Sequence, residues 1–243
     1  IFNKFDVCIS QNNETKNYLK KLGAENIKKL GNLKFSETSL KNINKINKNT
    51  RKFFDSKKIL FGAISTHQSE EIFCTKIYLY LKKKYMNGII IIIPRHIDRA
   101  SEIKEEIEKI GLKVHLHSSG RKIDNKTGIY LVDTFGETKL FLKICKIVFL
   151  GGSLIQHGGQ NPLEAARLGC KVIHGPNITN FLEVYSLLNK NNISSKIRTI
   201  SQAKSIVQKN LSNKFSSKKI IKKLNSIGNE VLFKNQKEIN KYI

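Results

Sequence analysis

Five consecutive isoleucines, Ile89–Ile93, lie between Gly88 and Pro94. A strand that is apolar at every position has no face to offer water, so it belongs inside a parallel sheet with helices packed on both sides. Such sheets occur in chains where strands and helices alternate, and this sequence alternates. Apolar runs at Lys58–Ile64, Lys113–Leu116, Gly128–Val132, Ile147–Leu150 and Lys171–His174 read as further strands. Helical spacing separates most of them, as in Ile72, Phe73, Ile77, Leu79 and Leu81 after the first, or the amphipathic Asp98–Ile110, which stops at Gly111. With 243 residues, 40% of them apolar, the chain can bury one large core or two smaller ones. The expected class is α/β with a Rossmann-like parallel sheet.

The first 35 residues carry a pattern of their own. A run at Phe5–Ser10, a helical segment at Asn13–Leu22 that stops at Gly23, and a strand at Ile27–Leu30 make one βαβ unit, which meets Gly31-Asn32-Leu33-Lys34-Phe35. Ile1 is not an initiator methionine and the chain opens inside a strand pattern, so residues 1–35 read as the remnant of a domain that begins upstream. Residues 36–57 are polar and rich in Asn and Lys, with spaced Leu40, Ile43 and Ile46, and read as a linker with some helix. Residues 58–212 then form a second domain. Residues 213–243 form an amphipathic helix, with Ile220, Leu224, Ile227 and Val231 spaced four, three and four apart.

Lysine and arginine total 44 against 19 aspartates and glutamates, a net charge of +25. Charge on that scale fits an anionic partner such as nucleic acid or a membrane surface. Lysine, asparagine and isoleucine are abundant everywhere, however, so roughly half of the excess reads as compositional drift. The remainder is uneven: Ser201–Ile243 holds ten lysines and two glutamates, enough for a basic helix face. No aromatic-interleaved basic motif accompanies them, which argues against nucleic acid. Cys8, Cys74, Cys145 and Cys170 sit singly in apolar segments without metal-ligand spacing, and read as reduced core residues of a cytoplasmic protein. His115 and His117 alternate along a strand with no third ligand, so no metal site is expected there. No signal peptide is visible, and the longest unbroken apolar run, Ile89–Ile93, is too short to cross a bilayer.

In an open α/β sheet the carboxyl ends of the strands line the ligand crevice. Pro94-Arg95-His96 follows the isoleucines, and an arginine there can hold a phosphate through two parallel hydrogen bonds. Asp133-Thr134-Phe135-Gly136-Glu137 follows Gly128–Val132; glycine permits close backbone approach, and Glu137 can accept from a hydroxyl or cap the next helix. Ser65-Thr66-His67 follows Lys58–Ile64, with Glu70-Glu71 on the helix beyond; the hydroxyls suit an oxyanion or a helix cap equally. Phe149–Phe181 is the densest stretch, with an apolar run, two glycine pairs and Asn161-Pro162-Leu163-Glu164. Asn161 suits an N-cap, Pro162 the first helical position and Glu164 the third. Unpaired N–H groups at such a helix start, aimed into a glycine loop, attract phosphate. No G-x-G-x-x-G follows the first strand and no Walker A sequence occurs, which argues against dinucleotide and P-loop classes.

GGSLIQHGGQNPLEAARLG resembles the signature of the 3-deoxy-D-manno-octulosonic acid (Kdo) transferases. The resemblance runs in family order through GNLKF, STHxxEE, IPRH, the D-T-x-G-E segment and GP followed by NF, and covers nearly all of Phe5–Leu188. It implies a GT-B glycosyltransferase whose C-terminal domain binds CMP-Kdo. The complete enzyme would transfer Kdo to a lipid A precursor, lipid IVA, in lipopolysaccharide biosynthesis at the cytoplasmic face of the inner membrane. The resemblance places the membrane anchor, the acceptor half and the catalytic base upstream of Ile1, so the fragment is expected to bind donor without catalysing transfer. It further implies inversion, no cofactor and no metal. Lys34 would stabilise the transition state, and Pro94, Arg95, Phe135, Gly136, Glu137, Asn161, Pro162, Leu163 and Glu164 would bind CMP. The partners it implies are CMP-Kdo, the lipid A precursor and the anionic membrane surface. In two-domain transferases of this kind the last helix often crosses back to the first domain. Three departures stand out. Gln68 and Ser69 replace an acidic-glycine pair, Phe135 stands where methionine is commoner, and Gln160, which cannot carry a proton, stands where histidine is usual. Two other readings stay open: another enzyme of the same fold, such as a nucleotide-sugar epimerase preferring a uridine nucleotide, and a basic protein that binds nucleic acid or anionic lipid.

Overall fold

The computed structural model describes residues 1–36, 46–213 and 215–243. They belong to two compact units, one of Ile1–Lys41 with Ile221–Ile243 and one of Asn42–Ile220. In the smaller unit β1 (Cys8–Ser10) pairs in parallel with β2 (Ile27–Lys29) across α1 (Asn13–Lys21), the expected βαβ unit. The Asn12 side chain accepts from the Thr15 N–H at 2.8 Å to start α1, and Gly23 turns the chain after it at φ +87°. β1 is shorter than the apolar run at Phe5–Ser10. Its pairing begins only at Cys8 opposite Ile27, Phe2–Lys4 form a tight turn, and Phe5 is exposed.

The larger unit opens with α2 (Lys48–Asp55) and continues through β3 (Lys58–Thr66), α3 (Glu70–Lys82), β4 (Gly88–Pro94), α4 (Ala100–Lys109), β5 (Val114–Leu116) and β6 (Ile129–Leu131). It then adds α5 (Thr138–Leu142), β7 (Ile147–Leu150), α6 (Leu163–Arg167), β8 (Lys171–His174), α7 (Leu182–Lys190), β9 (Ser194–Lys196) and α8 (Ile200–Ser212). Its seven strands form one parallel sheet in the order β5-β6-β4-β3-β7-β8-β9. The isoleucine strand is β4, next to the central strand β3 and buried along its whole length. Ile90 and Ile92 face Cys74, Ile77, Leu81 and Ile103, while Ile89, Ile91 and Ile93 face Phe54, Tyr130 and Phe141. Full burial of each such side chain stabilises the sheet by about 1.5–3 kcal/mol.

The segment 36–57, expected as a linker, is divided. Helix α2 belongs to the larger unit because Phe53 and Phe54 bury in its core, with the Phe54 ring 4.9 Å from that of Tyr130. Leu40 and Ile43 lie outside the described residues. β9 and α8 had no counterpart in the sequence reading: Ser194-Ser195-Lys196 is a polar edge strand with no periodic apolar signal. α4 starts later than Asp98, because Ile97–Arg99 forms a separate tight turn.

The last helix is α9 (Ser217–Ile239). Of its apolar stripe Ile220 and Leu224 are buried, and Ile227 and Val231 half-buried. Ile221–Ile243 belongs to the smaller unit, where Val231 packs on Gly31 and Gly228 lets the helix approach the Phe35 carbonyl. A Cβ on Gly228 would come within 2.3 Å of that oxygen. The four cysteines are free thiols; Cys74, Cys145 and Cys170 are buried, and burial pushes the Cys170 thiol up to about 12. Among the described residues no helix is long and apolar enough to cross a membrane.

Candidate functional site

The chain leaves β3 toward β4 on one side and leaves β7 toward β8 on the other, so the strand order reverses between β3 and β7. A crevice opens at the carboxyl ends of strands at such a reversal. The backbones meet closely there. A Cβ on Gly151 would lie 2.2 Å from the Ser65 carbonyl oxygen and 2.6 Å from Thr66 Cα, so only glycine lets the end of β7 pass the end of β3.

Glu70, at the start of α3, reaches into this junction and is buried. Its Oε2 accepts from the N–H of His67 at 3.0 Å and of Gly152 at 2.7 Å, and its Oε1 from the N–H of Ser153 at 3.1 Å and of Leu154 at 3.0 Å. Three successive N–H groups of the loop that follows β7 are therefore given to a carboxylate of the same chain. Next to it Glu71, also buried, pairs with Arg99 at 3.1 Å; burial pushes its carboxyl up, and the guanidinium opposes that shift. Two adjacent carboxylates one turn beyond a strand end were the sequence signal for this arrangement. Their targets were not readable.

Three histidines come together above Glu70, each from a different strand end. The His67 ring centroid lies 4.3 Å from that of His157 and 5.9 Å from that of His96. Burial, then the neighbouring His157, His96, Arg95 and Arg99, lower the pKa of His67 to about 4, so this imidazole is neutral near pH 7. Arg95 and His96 are exposed, and the Arg95 N–H bonds to the Thr66 carbonyl at 2.9 Å, tying the β4 end to the β3 end.

The remaining expected donor residues lie along the same edge of the sheet. Phe135 is exposed, and Gly136 has φ +80° with open space where a side chain would be. Glu137 stands at the N-cap position of α5 without a capping hydrogen bond; its carboxylate is bonded instead to Thr134 and, at 3.0 Å, to His117 Nε2. The Tyr130 hydroxyl lies 2.6 Å from His117 Nδ1, so an imidazole protonated at Nε2 satisfies both partners. These two residues also line a cavity of about 850 Å³ along the β5 edge, with Thr50, Phe53 and Arg121. Helix α6 begins at Leu163, one residue later than the sequence implied. Asn161 still accepts from the Leu163 N–H at 3.1 Å, while Pro162 and Leu163 are buried and have only backbone to offer a ligand. Glu164 sits 3.3 Å from Lys139 on α5, which brings the Glu137 and Glu164 helix starts together. Lys34 is on the turn Leu33–Ser36 of the smaller unit, exposed, with its N–H bonded to the Asn32 side chain at 2.9 Å. Among the described residues no three His, Cys, Asp or Glu side chains are grouped to hold a metal ion.

No family model matches the sequence. Curated relatives do. A 3-deoxy-D-manno-octulosonic acid transferase of Haemophilus influenzae is 28% identical over 207 residues, covering 85% of this chain and 48% of that protein. One of Rickettsia prowazekii is 32% identical over 204 residues, covering 82% of this chain and 42% of that protein. The chain thus spans less than half the length of these two relatives. Among solved structures, the C-terminal CMP-Kdo binding domain of WaaA from Acinetobacter baumannii matches with a TM-score of 0.66 at 24% identity, covering 76% of this chain and 93% of that domain. The fold is that of the C-terminal half of a GT-B glycosyltransferase.

Proposed function

On the premise that this chain is a homologue of the Kdo transferases over most of its length, we propose that its larger unit binds CMP-Kdo. The whole protein then transfers Kdo to a lipid A precursor in lipopolysaccharide biosynthesis. One observation carries the reading: Arg95, Glu137 and Glu164 follow three different strands, β4, β6 and β7, and lie on one carboxyl edge of a parallel sheet. Exposed Arg95 is the group to neutralise the CMP phosphate as it departs, through the paired hydrogen bonds its planar fork allows. Glu137 and Glu164 accept from hydroxyl or amine groups of the nucleoside, with the backbone of Phe135–Gly136 and of Asn161–Leu163 beside them.

Lys34 is assigned to charge that develops in the transition state. By the resemblance to the Kdo transferases, the transfer is read as inverting and independent of metal or cofactor. The base that deprotonates the acceptor hydroxyl is assigned to the part of the curated relatives that this chain does not span. Exposed Lys218, Lys219, Lys222 and Lys223 on α9 suit the anionic cytoplasmic face of the inner membrane, each contributing about 1 kcal/mol close to the surface.

Calorimetric titration of the chain with CMP, UMP and a short DNA duplex at two salt concentrations tests the assignment. CMP binding that survives salt is expected. Preference for UMP would favour a different enzyme of this fold, and salt-labile DNA binding alone would favour a basic binding protein. Glu164→Ala should weaken CMP binding by about 1–3 kcal/mol, the scale of a hydrogen bond to a charged group. Unchanged affinity in a folded variant would remove Glu164 from the site. Co-sedimentation with liposomes should rise with their anionic lipid content.

A further inference from the structure

Gly152 has φ +64°, and the point its Cβ would occupy lies 3.3 Å from His157 Nδ1, 3.3 Å from His67 Nε2 and 3.4 Å from Gln160 Nε2. Three side-chain nitrogens, from the ends of β3 and β7, therefore face one small space. His67 is 9% exposed and its Nε2 has no hydrogen-bond partner. A buried polar atom left unpaired is costly, and an acceptor arriving from the crevice would relieve that cost. The backbone donors beside it cannot serve the same ligand, because the N–H groups of Gly152, Ser153 and Leu154 are bonded to Glu70.

The charges around the space favour an anion. Glu70 is surrounded by four N–H donors and Glu71 is paired with Arg99, while the Arg95 guanidinium lies at the exposed rim. Glutamine at 160 offers an amide N–H at any pH, and neutral imidazoles can turn an N–H toward an oxygen.

We propose that His67, His157 and Gln160 form a subsite beside Gly152 for an acidic group of the bound donor, either its carboxylate or its phosphate. The proposal rests on the donor-site reading above. In a 2-ulosonic acid donor both groups are attached to the anomeric carbon, so either one brings the reacting carbon to the β3/β7 junction. The Glu70 carboxylate fixes the loop that carries His157 and Gln160, and the side chains read the ligand.

The test is titration of the chain with CMP and with CMP-Kdo, alongside His157→Ala, Gln160→Ala and His67→Phe, which keeps the ring volume. Thermal melting of each variant serves as the fold control. His157 is exposed, so its truncation leaves the fold intact even where His67→Phe does not. A loss of about tenfold or more for CMP-Kdo with CMP unchanged assigns the subsite to the carboxylate. A similar loss for both ligands assigns it to the phosphate. Unchanged binding of both ligands in His157→Ala and Gln160→Ala overturns the subsite and leaves the donor site standing. If the unmodified chain binds neither ligand, the donor-site reading fails and the subsite with it.

Discussion

The loop after β7 and the loop after β6 stand on the same edge of the sheet and are built in opposite ways. In the first, Gly151 is pressed against the end of β3, three successive N–H groups are bonded to Glu70, and the Ser153 hydroxyl donates to the Leu150 carbonyl at 2.5 Å while accepting from the Gly175 N–H at 2.8 Å. In the second, Phe135 is 79% exposed and nothing lies within 4 Å of the Cβ position of Gly136. A loop whose donors are committed internally can only present side chains, but it holds them at fixed positions. An open loop keeps its backbone available to shape itself to a ligand.

Removing the internal carboxylate should break this difference most severely. Glu70→Ala leaves three buried N–H groups and one part-buried one unpaired and is expected to cost on the order of 4 kcal/mol or more in urea unfolding, from about 1–3 kcal/mol per group. A cost below about 1 kcal/mol would mean that water replaces the carboxylate and that this loop is no more closed than its neighbour. Gly151→Ala forces the ends of β3 and β7 apart and should cost about 3 kcal/mol by the same measurement, in the upper range for overpacking.

The closed loop should also respond to pH. It rests on β8, where Gly175 packs against the Ser153 carbonyl and His174, buried, has Nδ1 2.7 Å from the Gly175 carbonyl. Burial lowers the His174 pKa from 6.5 to about 4. The unfolded chain therefore takes up this proton at a higher pH than the folded one. This contribution of His174 to stability is fully present above pH 6.5, falls as pH drops toward 4 and changes no further below that, a loss of about 3 kcal/mol at about 1.4 kcal/mol per pH unit. His67, with its pKa also lowered to about 4, adds to the fall in the same window. Thermal unfolding between pH 7 and 4.5 should show the loss, and His174→Gln should flatten it. The smallest effect belongs to the open loop. Gly136→Ala must adopt φ +80° but meets no atom, so about 1 kcal/mol in the same urea experiment is expected. A cost matching that of Gly151→Ala would erase the distinction.

Much of the fold was legible because its signals are local. Five adjacent isoleucines require burial on both faces, and Gly23 and Gly111 mark helix ends that the structure retains. The candidate site was legible as motifs after strands: Arg95 directly follows β4, while Glu137 and Glu164 follow β6 and β7 across loops. Polarity misled at Lys48–Asp55, where surrounding lysines and asparagines masked two aromatic side chains that bury in the core, and at Ser194–Lys196, whose pairing with β8 depends on a neighbour rather than on its own pattern.

The sequence by itself determined the α/β alternation, the parallel sheet and the strand ends that carry the candidate motifs, because side-chain period and turn chemistry act over a few residues. Only the tertiary structure decided where Glu70 goes, since its partner Gly152 is 82 residues away. The same holds for the meeting of His67, His157 and Gln160 around Gly152. A glycine loop reads as an anion site wherever its N–H groups are free. Whether a carboxylate from another strand end already occupies them depends on a long-range approach that no local pattern records.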